Sequence, residues 1–290
     1  MKLNEAVTRR IGKAILAFLA FGFGYAAFIY LTLPDVRGLR TSNPESTAFI
    51  DLRARQARAR GEEPRRVQRW VRYGRISPNL TRAVLVTEDS RFWKHEGIDF
   101  DELKESMEVN IERMEFARGG STITQQLAKN LYLSPSKNPV RKLRELLIAR
   151  RLEAELTKQR ILELYLNNIE WGNGIYGAEA AARTYFRKSA ADLSAPESAL
   201  LAAAINNPRV FNPASPTARL RRRQEMVMQR MGAVTPPPAV AGPVIPEPPG
   251  TTPDLEPVPQ IPEVVGPPPA LPGQPVAVPK GPGEKPPGGR

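Results

Sequence analysis

Glu88 opens the run Glu88-Asp89-Ser90-Arg91-Phe92-Trp93-Lys94-His95-Glu96-Gly97-Ile98-Asp99, and Glu145 closes Arg141-Lys142-Leu143-Arg144-Glu145. Between them lies Gly119-Gly120-Ser121-Thr122-Ile123-Thr124-Gln125-Gln126-Leu127-Ala128-Lys129-Asn130. Two carboxylates, several cations and a pair of amide side chains suit transfer of a sugar from a phosphorylated carrier. A carboxylate within hydrogen-bond reach can take the proton of an attacking hydroxyl, and cations neutralise a departing phosphate through charge-assisted bonds. Glu88 is the candidate base. Beside Phe92 and Trp93 it would be partly desolvated, which raises a carboxyl pKa toward the working pH. The bland alternative is an exposed Glu-Asp pair.

On a helix, Arg141 and Lys142 lie four and three residues before Glu145, so the three side chains meet on one face. That spacing serves ordinary ion pairs worth about 0.2–0.5 kcal/mol. It serves equally a phosphate site in which Glu145 orients the two cations or holds a divalent cation, Mg or Mn, that bridges a diphosphate. Periodicity does not choose between the two. Gln125, Gln126, Lys129 and Asn130 follow Gly119-Gly120 on a helix that begins with small hydroxyl residues. Its free N–H groups and positive dipole end would make an anion site, with Lys129 four residues after Gln125 on the same face. His95 is the only histidine, too few for the multi-histidine zinc sites of hydrolases. A structural hydrogen bond near Glu88 is its expected role.

Helical signals dominate the segment that must position these groups. Ser77 before Pro78 caps a helix with proline in its first turn, and Leu80, Ala83, Val84 and Thr87 then share a face that ends at Glu88. Asp99 or Asp101 can cap a second helix with a buried stripe of Leu103, Met107, Ile111 and Met114. Thr122-Ile123-Thr124-Gln125 fits a capping box whose helix must stop before Pro135, and Ser194-Ala195-Pro196-Glu197 is another. Ile161 to Asn168 reads as a packing helix followed by a turn, and Trp171-Gly172-Asn173-Gly174 as a loop. No convincing set of alternating strands appears, so a mainly α domain is expected.

Five parts follow along the chain. Residues 1–13 are a short cytoplasmic start. Residues 14–33 carry no charge, and twenty mostly apolar residues span the roughly 30 Å hydrocarbon core of a bilayer as a helix. With no good cleavage site after them, they read as a retained transmembrane helix and not as a signal peptide. A basic linker at 34–67, the globular domain at 68–232 and a disordered proline-rich tail at 233–290 complete the chain. The tail from Thr235 holds 20 of the 30 prolines, so neither helix nor ladder can propagate there.

The order and spacing of these motifs, from about Trp70 to about Pro213, resemble the family 51 glycosyltransferases, the peptidoglycan polymerases, and most closely their monofunctional membrane-anchored members. The resemblance implies a lysozyme-like helical fold and polymerisation of lipid II into β-1,4-linked glycan strands by inverting transfer, with release of the polyprenyl diphosphate. The family's second essential glutamate ends an Arg-Lys-x-x-Glu motif, which falls on Glu145. Donor diphosphate and sugar contacts carry over to Gln125, Gln126 and Lys129, with Arg118 as a further binding residue and Arg141 and Lys142 facing phosphate. Asn206-Asn207-Pro208 matches the last motif, with Asn206 a small departure. Lipid II, the nascent strand, membrane lipids and other cell-wall synthesis proteins are the implied partners. The implied place is the bacterial cytoplasmic membrane, single-pass, with the domain on the periplasmic side. Lys2, Arg9, Arg10 and Lys13 before the helix agree with that orientation, although Arg37 and Arg40 follow it closely.

The formal net charge of +12 would raise nucleic-acid binding. Its location argues against it, because residues 35–75 hold eleven arginines against five acids, where anionic headgroups attract them by about 1 kcal/mol each. Three rival readings remain. A peptidoglycan-cleaving glycosidase or lytic transglycosylase would not need the Gln-Gln-x-x-Lys and Arg-Lys-x-x-Glu cations. A bifunctional polymerase with transpeptidase activity would need a Lys-Thr-Gly, which is absent; Ser134-Pro135-Ser136-Lys137 and Ser77-Pro78-Asn79 are chance matches to its other motifs. A non-enzymatic envelope scaffold would not need intact carboxylates and cations in this order.

Overall fold

A computed structural model of the protein describes residues 5–113, 120–136 and 138–233. Arg118 and the proline-rich tail lie outside the described residues, as do Met114 of the expected stripe and Lys137.

The first helix, α1 (Glu5–Leu31), contains a stretch, Arg9–Leu31, long and apolar enough to cross a membrane, with mean hydropathy 2.1. Its apolar side chains such as Phe18, Phe21 and Phe23 are exposed. Below it Leu33, Val36 and Leu39 turn inward and join the domain's core.

The expected linker is itself folded. A turn at Arg37–Arg40 leads to α2 (Ala48–Ala59), capped by Thr47. Several of its arginines are spent internally: Arg40 bonds Glu155, Arg53 reaches the buried Glu170 at 3.1 Å, and Arg60 pairs with Glu62. Asp35 likewise holds Arg37, which keeps the Asp35 carboxyl down at about 2. Each charge paired in this way is one fewer for headgroups.

Ser77 and Pro78 start α3 (Pro78–Glu88) as expected, and Leu80, Ala83 and Val84 are fully buried on one face. Burying each such leucine or valine contributes about 1.5–3 kcal/mol. Asp99 accepts the Glu102 N–H and caps α4 (Phe100–Arg113). Of the stripe expected on α4, Leu103 alone has a described side chain, and it is exposed. Helical spacing names a face, but a neighbouring element must be there to cover it.

Four helices follow: α5 (Ile123–Tyr132), α6 (Pro139–Glu155), α7 (Lys158–Asn168) and α8 (Ala178–Phe186). The chain then forms α9 (Ala195–Ala204), opened by the Ser194–Glu197 capping box, and α10 (Ala218–Arg230). A small sheet accompanies the helices of this mainly α domain. Strands β1 (Val67–Gln68), β2 (Glu170–Gly172) and β3 (Ile175–Tyr176) lie in the order β1-β3-β2, with β1 parallel and β2 antiparallel to β3. Two or three residues are too few to show alternation, so Trp171 to Gly174 read as a loop. At its turn Gly174 takes φ 70°, and an added Cβ would lie 2.6 Å from the Arg65 carbonyl. Asn167 staples the segment after β1 to α7, donating to the Val71 carbonyl at 2.8 Å while its side-chain oxygen accepts the Val71 N–H at 2.9 Å.

Candidate active site

Glu88 ends α3, and one of its oxygens, Oε2, accepts from Gln126 Nε2 on α5 at 2.9 Å. Gln126 Oε1 in turn accepts from the Tyr165 hydroxyl on α7, also at 2.9 Å. The polarity of this chain is fixed: an ionised carboxylate only accepts, so Gln126 must present its NH₂ to Glu88 and its carbonyl to Tyr165. The other oxygen, Glu88 Oε1, is enclosed and has no hydrogen-bond partner among the described residues. Burial pushes the Glu88 carboxyl above the usual glutamate value, outweighing the opposing bond from Gln126 and the charges of Lys129 and Arg223.

Glu145 sits two turns into α6, where Asn138 and Pro139 start the helix, and it is buried. Arg141 donates to its Oε2 at 2.6 Å, and Lys142 donates to its Oε1. Lys142 also reaches Gln125 Oε1 at 2.9 Å and the Ser121 hydroxyl at 3.2 Å, tying α6 to the start of α5. Both Glu145 oxygens are thus neutralised from within the helix. This donor set does not fit a divalent metal, since a bound cation would share Glu145 with the positive charges of Arg141 and Lys142. Lys129, on α5, feels Glu145, Arg141, Lys142 and Glu88 together, while burial lowers its amine below the usual lysine value.

The start of α5 is not the open anion site that its sequence suggests. Asp89, buried and next to Glu88, accepts the Ile123 N–H at 2.9 Å and holds His95 Nε2 at 3.0 Å. Thr122 accepts the Gln125 N–H. An internal carboxylate therefore occupies the place where the helix dipole would draw a ligand. The Gln125 side chain does not close the expected capping box; its NH₂ goes to the Gly97 carbonyl at 3.2 Å. Asp89, His95 and Asp99 lie close enough to share a metal, but Asp99 is held by Arg91 at 2.8 Å and Asp89 by Ile123 and His95.

The family model of transglycosylases matches residues 55–232, which hold α3 to α10 and every site residue above. The chain belongs to the transglycosylase family. Among similar proteins, the biosynthetic peptidoglycan transglycosylase of Herminiimonas arsenicoxydans is 46% identical over 191 residues, covering 66% of this chain and 83% of that protein. That of Chromobacterium violaceum is 45% identical over 195 residues, covering 67% and 86%. That of Thiobacillus denitrificans is 42% identical over 229 residues, covering 79% and 97%.

In this transglycosylase the expected Glu88, Gln126, Lys129, Arg141, Lys142 and Glu145 converge, whereas Gln125 is buried and acts on Lys142 and Gly97. His95 bonds the neighbour of Glu88, close to its expected role. Three residues escaped the sequence reading. Asp89 looked like the second half of a surface pair; Tyr165 looked like one more apolar position in a packing helix; Arg223 lay in an arginine-rich helix with no visible target. The polar hydroxyl of Tyr165 on a fully buried face was the one available signal, because a buried hydroxyl needs a partner.

Proposed function

We propose that the transglycosylase polymerises lipid II into β-1,4-linked glycan strands of peptidoglycan by inverting transfer, without transpeptidase activity. The observation that carries this reading is the free oxygen of Glu88, held with a raised pKa in the same polar site as the cation-bound Glu145. The names of the similar proteins supply peptidoglycan as the polymer.

In the step proposed, the acceptor 4-hydroxyl gives its proton to Glu88 Oε1 as its oxygen forms the new bond to C1 of the donor. The C1–O bond to the diphosphate breaks, and its electron pair leaves with the polyprenyl diphosphate. Arg141, Lys142 and Lys129 neutralise the negative charge that remains. Diphosphate is a good leaving group, so cations serve it better than a proton donor, and Glu145 keeps two of them in place. A divalent cation is not required by this donor set. Arg118 remains a proposed binding residue, and Gln126 is proposed to meet substrate from beside Glu88.

The Arg9–Leu31 helix supports single-pass anchoring in the cytoplasmic membrane, and the preceding basic residues support a periplasmic domain. Lipid II, the growing strand and membrane lipids are the proposed partners, along with other cell-wall synthesis proteins. Purified protein incubated with lipid II in detergent should give long glycan strands that a muramidase degrades. Release of soluble sugars from preformed peptidoglycan, with no polymer from lipid II, would replace this reading with a cleaving enzyme.

A further inference from the structure

The end of α1 is gripped by the helix that carries Glu145. Arg144 donates from Nη2 to the Thr32 carbonyl at 2.8 Å. Arg151 donates to the carbonyls of Tyr30 at 3.2 Å, Leu33 at 3.3 Å and Pro34 at 3.4 Å, and its guanidinium lies 4.8 Å from the centre of the Tyr30 ring. Seven residues separate the two arginines, close to two helical turns, so they project from one face of α6. The last four carbonyls of any helix lack intrahelical partners, and that end carries partial negative charge. Arg151 reaches the Tyr30 carbonyl of that last turn, and both arginines bond carbonyls of the residues just past it, which puts two positive charges at the negative end. Arg40, just beyond the anchor, adds a bond to the Glu155 carbonyl at 2.9 Å, and Leu33, Val36 and Leu39 pack into the core alongside.

A flexible tether would need none of this. Its arginines could face water, and its carbonyls could be hydrated. Instead the end of the anchor is bonded by Arg144, the residue next to Glu145 on α6. The diphosphate of a membrane-held carrier lies immediately outside the hydrocarbon, at the depth where a spanning helix ends. The contacts on α6 place Arg141, Lys142 and Glu145 at that depth.

We propose that Arg144 and Arg151 are positioning residues that lock α6 to the end of the membrane anchor and so hold the diphosphate-binding cations at headgroup level. The substrate part of this inference rests on the lipid II reading; the locking part does not. The chain has no cysteine, so spin labels can be placed at Leu19→Cys in the anchor and Asp192→Cys on the domain of the full chain in lipid nanodiscs. The parent should give a narrow distance distribution, and Arg144→Ala/Arg151→Ala a broad one. On lipid II with its full polyprenyl chain in the bilayer the double alanine variant should lose about tenfold or more in kcat/KM. On a short-chain soluble analogue it should stay within about twofold. Arg144→Lys/Arg151→Lys, which still donates to carbonyls, should narrow the distances and recover much of the bilayer activity. An unchanged distance distribution in the alanine variant, or an equal loss on both substrates by a folded protein, would overturn the proposal. Should neither protein polymerise any lipid II, the function reading fails and the distance measurement alone decides the lock.

Discussion

Gln126 donates to one oxygen of Glu88 across 2.9 Å and thereby selects the other oxygen as the one that can take a proton. The Tyr165 hydroxyl behind it donates to the amide carbonyl and holds the side chain in place. Tyr165→Phe removes only that hydroxyl, so the fold and the substrate contacts should persist. The expected result is a fall in kcat of roughly fivefold, the equivalent of one hydrogen bond of about 1 kcal/mol, with KM little changed. Steady-state kinetics on lipid II decides it; a change confined to KM would take Tyr165 out of the orienting chain.

The raised carboxyl of Glu88 and the lowered amine of Lys129 predict a narrowed pH profile. As base, Glu88 must be ionised, so activity should fall on the acid side through a pKa above the usual glutamate value. As a diphosphate ligand, Lys129 must be protonated, so activity should fall on the alkaline side below the usual lysine value. In Lys129→Arg the alkaline limb should move up, because guanidinium stays charged. A limb that stays in place would assign that titration to another group.

Glu88 also costs stability, and the sign follows from its shift. A carboxyl whose folded-state pKa is raised favours the fold below its unfolded pKa, and that advantage is lost as pH rises through the folded value. Glu88→Gln should therefore raise Tm relative to wild type at about pH 8 and leave it nearly equal at about pH 4. Calorimetry at the two pH values checks this, and an equal difference at both would remove the buried charge as its cause.

Much of this site was legible in the sequence where the reasoning was local. Ser77 and Pro78 fixed where α3 begins and so brought Glu88 to its end, and the three- and four-residue spacings placed Lys142 and Arg141 on Glu145. What escaped depends on residues far apart along the chain. Asp89 fills the start of a helix that begins 34 residues later, and nothing local distinguishes it from a solvated acid. Leu103 sits at a position that helical spacing would bury, yet it stays exposed among the described residues. The segment after the anchor looked like a basic linker with its charge free for headgroups because two of its charge partners, Glu155 and Glu170, lie more than a hundred residues away.

Arg141 and Lys142 share one buried carboxylate, so their removal should not be additive. Either alanine variant leaves Glu145 with one cation and a modest loss of stability. The double variant leaves a buried charge with no bonded cation and only Lys129 nearby, and a penalty of up to about 3–5 kcal/mol is expected for that state. Denaturant unfolding of the four proteins measures the coupling; a double loss equal to the sum of the singles would show that the two cations do not act on one shared buried carboxylate.

The central claim is that Glu88 is the base for strand extension, and the most direct test compares wild type with Glu88→Gln in single-turnover reactions on labelled lipid II. Binding of a diphosphate-lipid analogue is measured on the same samples. Analogue binding should be unchanged, and the rate of glycosidic bond formation should fall by about 100- to 10,000-fold. A glutamine variant that binds normally and extends strands within about threefold of wild type would contradict that claim, because no general base contributes so little.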